Sequence, residues 1–399
     1  FENENYFDKY KNEKIYFYEL FDNYLEKKVF KKFKDITTIK NPNFLHPNDK
    51  SKFLHHFYMN RRKELDLFME NGKPLYGKYS FDSDNRKKLP KDIFIPTTLS
   101  YDNSYIKEAK SYCKKFDTVG SCELFNYPIT FDEASLQLDY FINEKFENFG
   151  NYQDAITKDL SQNYLFHSNI SSSLNIGLLD LNQVIEKIAN ATAPYNAKEG
   201  FIRQIIGWRE FMLRVYEDDG VRLRNSNFFG FKNPMPKAIL EAKSGINILD
   251  DVIKKVNKTA YAHHIERLMI LGNIFLLLEI KPNDVYEYFM KNYIDAYDWV
   301  MVGNVYGMSG FSDGGSITTK PYLASSNYLI KMSDYSKKEP WCKIVDALYW
   351  RFLHKYSHLF KDNPRMKIQI SLLNRMSEEK LNEHLKVAEK YMQDLYCNM

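Results

Sequence analysis

Cysteine is scarce in this chain, with four in 399 residues. That is too few, and too scattered, for the disulfide framework of a small secreted protein. Tryptophan is as rare, at four against 30 tyrosines and 29 phenylalanines. Long apolar runs are missing too: the longest, residues 268–280, is broken by Gly272, Asn273 and Glu279 and is too short to span a bilayer. No basic, apolar, small-residue series at the start reads as a secretory signal. A reducing intracellular compartment, cytoplasm or nucleoid or nucleus, is therefore expected, with no membrane partner. The start at Phe1 suggests a fragment or one half of a larger reading frame. Charge of one sign is nearly absent as well, since 56 Lys and Arg face 52 Asp and Glu for a net +4. The balance is uneven, +6 over residues 1–120 and −2 over the rest, so a mildly basic first third points to an anionic partner.

What is present is mainly α pattern. Residues 1–45 mix aromatic and charged residues, with one strand expected over 35–39 before the Asn41-Pro42 breaker. Helical spacing follows over 51–69 (Phe53, His56, Met59, Leu65, Phe68), and Asn71-Gly72 closes it. Gly, Pro, Asp, Asn and Lys then predict a long ordered loop to residue 96. Beyond residue 131, apolar residues recurring every three or four positions predict helices over 131–146, 179–189, 201–216, 246–256, 260–278, 282–295, 344–354 and 378–395. There is no internal repeat and no low-complexity tail. The expected division is 1–45 as an incomplete segment, 46–122 as helix and connecting loop, and 123–399 as a helical domain.

Four strings concentrate His, Trp, Arg, Gly and Asp. Phe166-His167-Ser168-Asn169-Ile170-Ser171-Ser172-Ser173 sets hydroxyls and free amides at a helix start, which suits an anion, although an ordinary serine-capped helix fits the string equally. In Glu199-Gly200-Phe201-Ile202-Arg203-Gln204-Ile205-Ile206-Gly207-Trp208-Arg209-Glu210-Phe211, Gln204 and Trp208 share a helix face, and Arg209 can reach a carboxylate or phosphate. This is also compatible with a core helix. Tyr261-Ala262-His263-His264-Ile265-Glu266-Arg267-Leu268-Met269 places adjacent histidines on a helix, which is the wrong spacing for a zinc pair. A proton donor or a satisfied core histidine remain as alternatives, and no metal is expected. The fourth string runs from Tyr293 through Asp295, Tyr297 and Trp299 to Gly303-Asn304, Gly307-Met308-Ser309, Phe311-Ser312-Asp313-Gly314-Gly315 and Lys320-Pro321-Tyr322. Such density of Gly, Asp and aromatics suggests a pocket-lining loop.

Taken in order, these strings resemble the prokaryotic (6-4) photolyase family, the iron–sulfur bacterial branch of cryptochromes and photolyases. The likeness spans residues 41–399 and includes Gly77-Lys78-Tyr79-Ser80-Phe81-Asp82-Ser83-Asp84-Asn85-Arg86, similar to that family's GxWNFDxxNR loop. It implies an all-helical FAD-binding domain preceded by a remnant of an α/β domain and a long linker. It implies a chromophore-bearing DNA repair flavoprotein, a lyase in reaction class, whose partner is UV-damaged DNA. By resemblance, His167, Ser168, Asn169, Ile170 and Ser171 meet the FAD pyrophosphate and ribityl chain. Gln204, Trp208 and Arg209 wall the flavin, and Asp295, Tyr297 and Asn304 contact the isoalloxazine edge. His264, with His263 beside it, would protonate the (6-4) lesion, and Asp82, Arg86, Tyr322 and Tyr328 would line the lesion pocket.

The departures from the family are specific. Its cubane cluster needs four thiolates, but the matching positions hold Ile248, Ser336 and Glu339, leaving Cys342, so no iron–sulfur cluster is expected. The Trp-Tyr relay pair is Tyr288-Phe289 here, the outer Trp is Leu240, and the Trp-Val-Glu run is Trp299-Val300-Met301. With most of the α/β domain missing, an antenna chromophore lacks a complete site, unless a separate chain supplies that domain. Two readings follow: a light-dependent repair enzyme, or a non-enzymatic, cryptochrome-like flavin- or DNA-binding member.

Overall fold

The computed structural model describes residues 6–397. Near its start lies a small α/β unit. Strand β1 (Ile15–Tyr18) and strand β2 (Ile36–Ile39) pair in parallel, Ile15 opposite Ile36 and Tyr18 opposite Ile39. Parallel strands need a crossover, and helix α1 (Asn23–Lys32) supplies it, its first turn capped by Asp22 accepting the Leu25 N–H at 2.6 Å. Val29 of α1 and the following Phe33 are buried, whereas Tyr16 and Tyr18 of β1 are exposed. Only β2 was expected from the sequence. Four residues of β1 carry too little alternation to announce a strand whose partner lies some twenty positions away.

Helix α2 (Leu54–Glu64) is shorter than the spacing predicts. Arg62 is fully buried on it and donates to the carbonyls of Leu67 and Tyr79 at 3.0 and 2.8 Å, and to that of Phe68. This one guanidinium ties the start of the loop that follows to its middle. The loop carries a short antiparallel hairpin, Met69–Glu70 against Lys73–Pro74, and turns of 3-10 helix at Leu75–Gly77 and Asp82–Asn85. A helix that was not anticipated, Ser104–Cys113, starts where Asn103 accepts the Ile106 N–H at 3.0 Å.

The rest is a helical body with two large apolar cores and two small aromatic clusters. One gathers Phe141, Phe146, Phe149 and Phe201 with Val184 and Ile188. The larger packs Asn247–Thr259, Asn273–Leu277, Trp341–Tyr356 and Glu378–Cys397 around Ile253, Phe275, Trp341 and Leu348. The predicted helices over 131–146, 179–189, 246–256, 282–295, 344–354 and 378–395 are present with shifted ends.

The expectation of continuous helix over 260–278 is corrected. Ala260 takes a left-handed conformation (φ 52°) that ends the preceding helix, and residues 261–263 run as loop. His263 therefore precedes the new helix, and His264 opens it. Four π-helical segments interrupt the body among the described residues: Phe141–Lys145, Arg203–Arg209, Glu266–Gly272 and Gly303–Ser309. The last two pack closely at Gly272, where a Cβ would sit 2.7 Å from the Ser309 Cβ.

Candidate functional site

The four strings converge on one wall. Residues 163–173 fold back on themselves through two left-handed residues, Leu165 (φ 41°) and Asn169 (φ 57°), and such strain concentrates at sites where geometry matters. The turn carries the His167 ring onto that of His263, stacked at 4.7 Å with planes 13° apart. Burial pushes both imidazoles well below the usual histidine range, each also feeling nearby positive charge, so both are neutral at neutral pH.

His264 follows His263, its ring 6.3 Å from Trp208. It keeps an exposed face although protein crowds it closely enough to pull its pKa to about 4, with Arg267 adding to the pull. Exposure combined with crowding describes a side chain on the wall of a concavity. Gln204, half-buried, stands one turn before Trp208 on the Arg203–Arg209 segment.

An ion pair braces the wall from behind. Arg267 donates to both oxygens of Asp295 at 2.9 and 3.0 Å and to the Ala262 carbonyl at 2.7 Å, with its guanidinium 4.3 Å from the Tyr293 ring. Burial opposes the charge on Arg267, but Asp295 more than offsets this and holds its pKa above the ordinary value. Ser171 donates to Asp295 at 2.8 Å, and Asn175 to the Asp295 carbonyl at 3.1 Å. Asp295 thus joins the 163–173 turn to the histidine segment. Asn304 donates to the Val300 carbonyl at 2.8 Å and is half-buried, whereas Tyr297 is exposed at the start of the Asp298–Val302 helix.

Arg209, expected on the flavin wall, also meets the segment before the first helix of the body, while its Nη2 is buried without a partner. It lies 4.0 Å over Phe44 and 5.1 Å from Trp299 and donates to the Asn43 carbonyl at 2.8 Å. Burial lowers its pKa to about 10. Beside it, Glu210 accepts the Leu45 N–H at 2.9 Å. This pair locks residues 43–45 onto the helical body, a contact the sequence alone did not disclose.

The turn 163–173 fits a polar guest such as FAD. The Ser168 carbonyl accepts from Gln137 at 2.8 Å, and Ile170 is buried. Yet the Asn163 Oδ1, the His167 Nε2, both amide atoms of Asn169 and the hydroxyls of Ser172 and Ser173 are buried without a hydrogen-bond partner. Each such atom costs about 1–3 kcal/mol unless something satisfies it, so a cluster of them marks a surface shaped for a ligand.

The residues expected to line a lesion pocket also come together. Asp82 pairs with Arg86 and accepts from Arg203 at 3.1 Å, and Tyr322 and Tyr328 lie within electrostatic reach of both Asp82 and Arg86. Two members escaped the sequence reading. Asp154 sits 3.9 Å from Arg86, its pKa raised to about 7 by burial and then by Asp82. Glu199, wholly buried, accepts from Tyr58 and the Phe81 N–H at 2.8 Å each and from Arg203 at 3.0 Å, clamping the loop to the body. The spacing of Glu199 and Arg203, four apart, was visible, but nothing in the sequence said that the face is internal.

The positions matched to a cubane cluster do not fit one. Ile248 is in the core, Ser336 donates its N–H to Glu339 at 2.9 Å, Glu339 accepts the Trp341 indole N–H at 2.8 Å, and Cys342 lies 3.8 Å from the Ser336 carbonyl. Among the described residues no group of three or more His, Cys, Asp or Glu side chains is arranged to hold a metal ion. Nor is any described helix long and apolar enough to cross a membrane.

Comparison with known proteins adds the following. Residues 2–127 match the family model described as deoxyribodipyrimidine photo-lyase-related protein. A (6-4) photolyase of Agrobacterium fabrum is 38% identical over 346 residues, covering 83% of this chain and 68% of that protein. An uncharacterized protein of Acanthamoeba polyphaga mimivirus is 46% identical over 127 residues, 32% of this chain and all of that one. The crystal structure of a bacterial class III photolyase from Agrobacterium tumefaciens shares the fold with a TM-score of 0.52 at 13% identity, over 96% of this chain and 78% of its own. None of these likenesses supports a separate chain completing the N-terminal part. The extent of the first relative and the shared fold place the chain in the photolyase-related family to which the Agrobacterium (6-4) photolyase belongs.

Proposed function

We propose that this chain is an FAD-binding photolyase that repairs (6-4) photoproducts in UV-damaged DNA under light. The observation that carries the reading is the single wall on which His167 stacks on His263, His264 faces Trp208, and Ser171 and Arg267 share Asp295. Reduced FAD bound there would supply the light-excited electron. The residues do the remaining work. Asn169, Ser172 and Ser173 offer unpaired donors and acceptors to hold a polar cofactor, and Gln204 and Trp208 close one side. Asp82, Arg86, Tyr322 and Tyr328 receive a base turned out of the duplex, which is cheapest for a damaged one. His264 presents its ring from the adjoining wall. With a pKa near 4 it is uncharged at neutral pH, so it offers the N–H of a neutral imidazole until an anionic substrate restores its affinity for a proton. Lysines and arginines of the first third contact phosphates, a contribution that falls with salt. The protein works without an iron–sulfur cluster, Glu339 and Ser336 standing in its place.

A second reading, a flavin- and DNA-binding member with a sensing rather than a repairing role, is favoured by Tyr288, Phe289 and Leu240 at the relay positions. A phenol is harder to oxidise than an indole and must shed a proton as well. Repair of (6-4) DNA under blue light by dithionite-reduced protein separates the two. The proposal expects repair, lost in His264→Ala with flavin retained. Bound, fully reduced flavin without any repair would establish the second reading instead.

A further inference from the structure

Lys145 ends the Phe141–Lys145 π segment and is 2% exposed. Among the described residues its ammonium has no hydrogen-bond or ion-pair partner, and burial alone brings its pKa down to about 8. An unpaired buried charge is among the costliest groups a fold can carry. Glu266, whose charge His167 feels, is already taken by Lys255 at 2.7 and 2.9 Å and by the His263 N–H at 3.1 Å. Lys145 is close enough for His167 to feel its charge. The next residue, Phe146, packs on Phe149, whose ring meets His167 edge-on at 5.9 Å. Through Phe146, Phe149 and His167, Lys145 neighbours the turn that buries the unpaired hydroxyls of Ser172 and Ser173 and the amide of Asn169.

We infer that Lys145 is a cofactor-binding residue, supplying the counter-charge for the diphosphate of FAD at the 163–173 turn. A lone ammonium together with unpaired hydroxyl and amide groups is the donor set a phosphate oxygen accepts from. The inference rests on the proposed binding of FAD at this wall.

Three proteins test it: the wild type, Lys145→Met, which keeps the unbranched stem, and Lys145→Arg, which keeps the charge. Dissociation constants for FAD and for riboflavin, which lacks phosphate, are measured by flavin fluorescence, and thermal unfolding is followed without flavin. Lys145→Met should bind FAD roughly tenfold or more weakly and riboflavin as the wild type does. It should unfold no earlier than the wild type when flavin-free, because an uncompensated charge has been removed. Lys145→Arg should restore most of the FAD affinity. Equal FAD affinity in Lys145→Met, equal losses for FAD and riboflavin, or a flavin-free protein that melts earlier would each overturn the inference and leave FAD binding itself standing. A wild type that binds no FAD overturns the functional reading, and this inference with it.

Discussion

Asp295 shows how much one side chain can organise. It is held by both arms of Arg267 and by Ser171, and it joins two of the four strings. Removing one partner of such a pair leaves the other charged and short of contacts, which typically costs about 3–5 kcal/mol. Asp295→Ala should lower stability toward that range in denaturant unfolding and weaken flavin binding, whereas Arg267→Lys should lose the bidentate geometry and only part of the stability. The site residues themselves were legible because they carry unusual chemistry close together in sequence. Their partners were not. Lys145 reads as an ordinary surface lysine, and Asp154 and Glu199 as ordinary acids, because burial is set by elements far away in sequence. Arg209 was read from its type and its neighbour Trp208 as a ligand contact, and its packing between Phe44 and Trp299 was not legible.

At the scale of elements, the π segments are the recurrent device. Each carries a residue of the wall or its support: Lys145, Gln204 with Trp208, Arg267, and Asn304. π-Helical turns are rare and are often found at functional sites. Sequence periodicity counts apolar residues per turn and reads such a segment as plain helix, which is why none was anticipated. Two of the segments touch at Gly272, so Gly272→Ala should force Ser309 aside and destabilise by about 1–3 kcal/mol, measurable as a lower denaturant midpoint. The helix break at Ala260 was equally hidden, since alanine is a strong helix former held here in a left-handed conformation. Ala260→Gly should leave flavin binding intact and raise stability by a few tenths to about 1 kcal/mol.

At the scale of the whole molecule, the helical body was legible and the small α/β unit only half so. Helices of ten or more residues repeat their pattern often enough to be read, whereas β1 and β2 are four residues each and depend on each other through α1. The site also gives the molecule a characteristic response to acid. His167, His263 and His264 all have folded pKa values below the unfolded value near 6.5. Between that value and their folded ones the unfolded chain binds more protons, so stability falls as pH drops below about 6.5. Unfolding midpoints measured from pH 7.5 to 4.5 should decline steadily, and His263→Phe should flatten the decline.

The central claim is that this wall holds FAD, and the most direct measurement is the flavin content of the chain purified in the dark, or after incubation with excess FAD and removal of the free cofactor. A stoichiometric flavin spectrum is expected, sharply reduced when Asp295 is replaced by alanine. Folded protein that retains no flavin under either condition would contradict it.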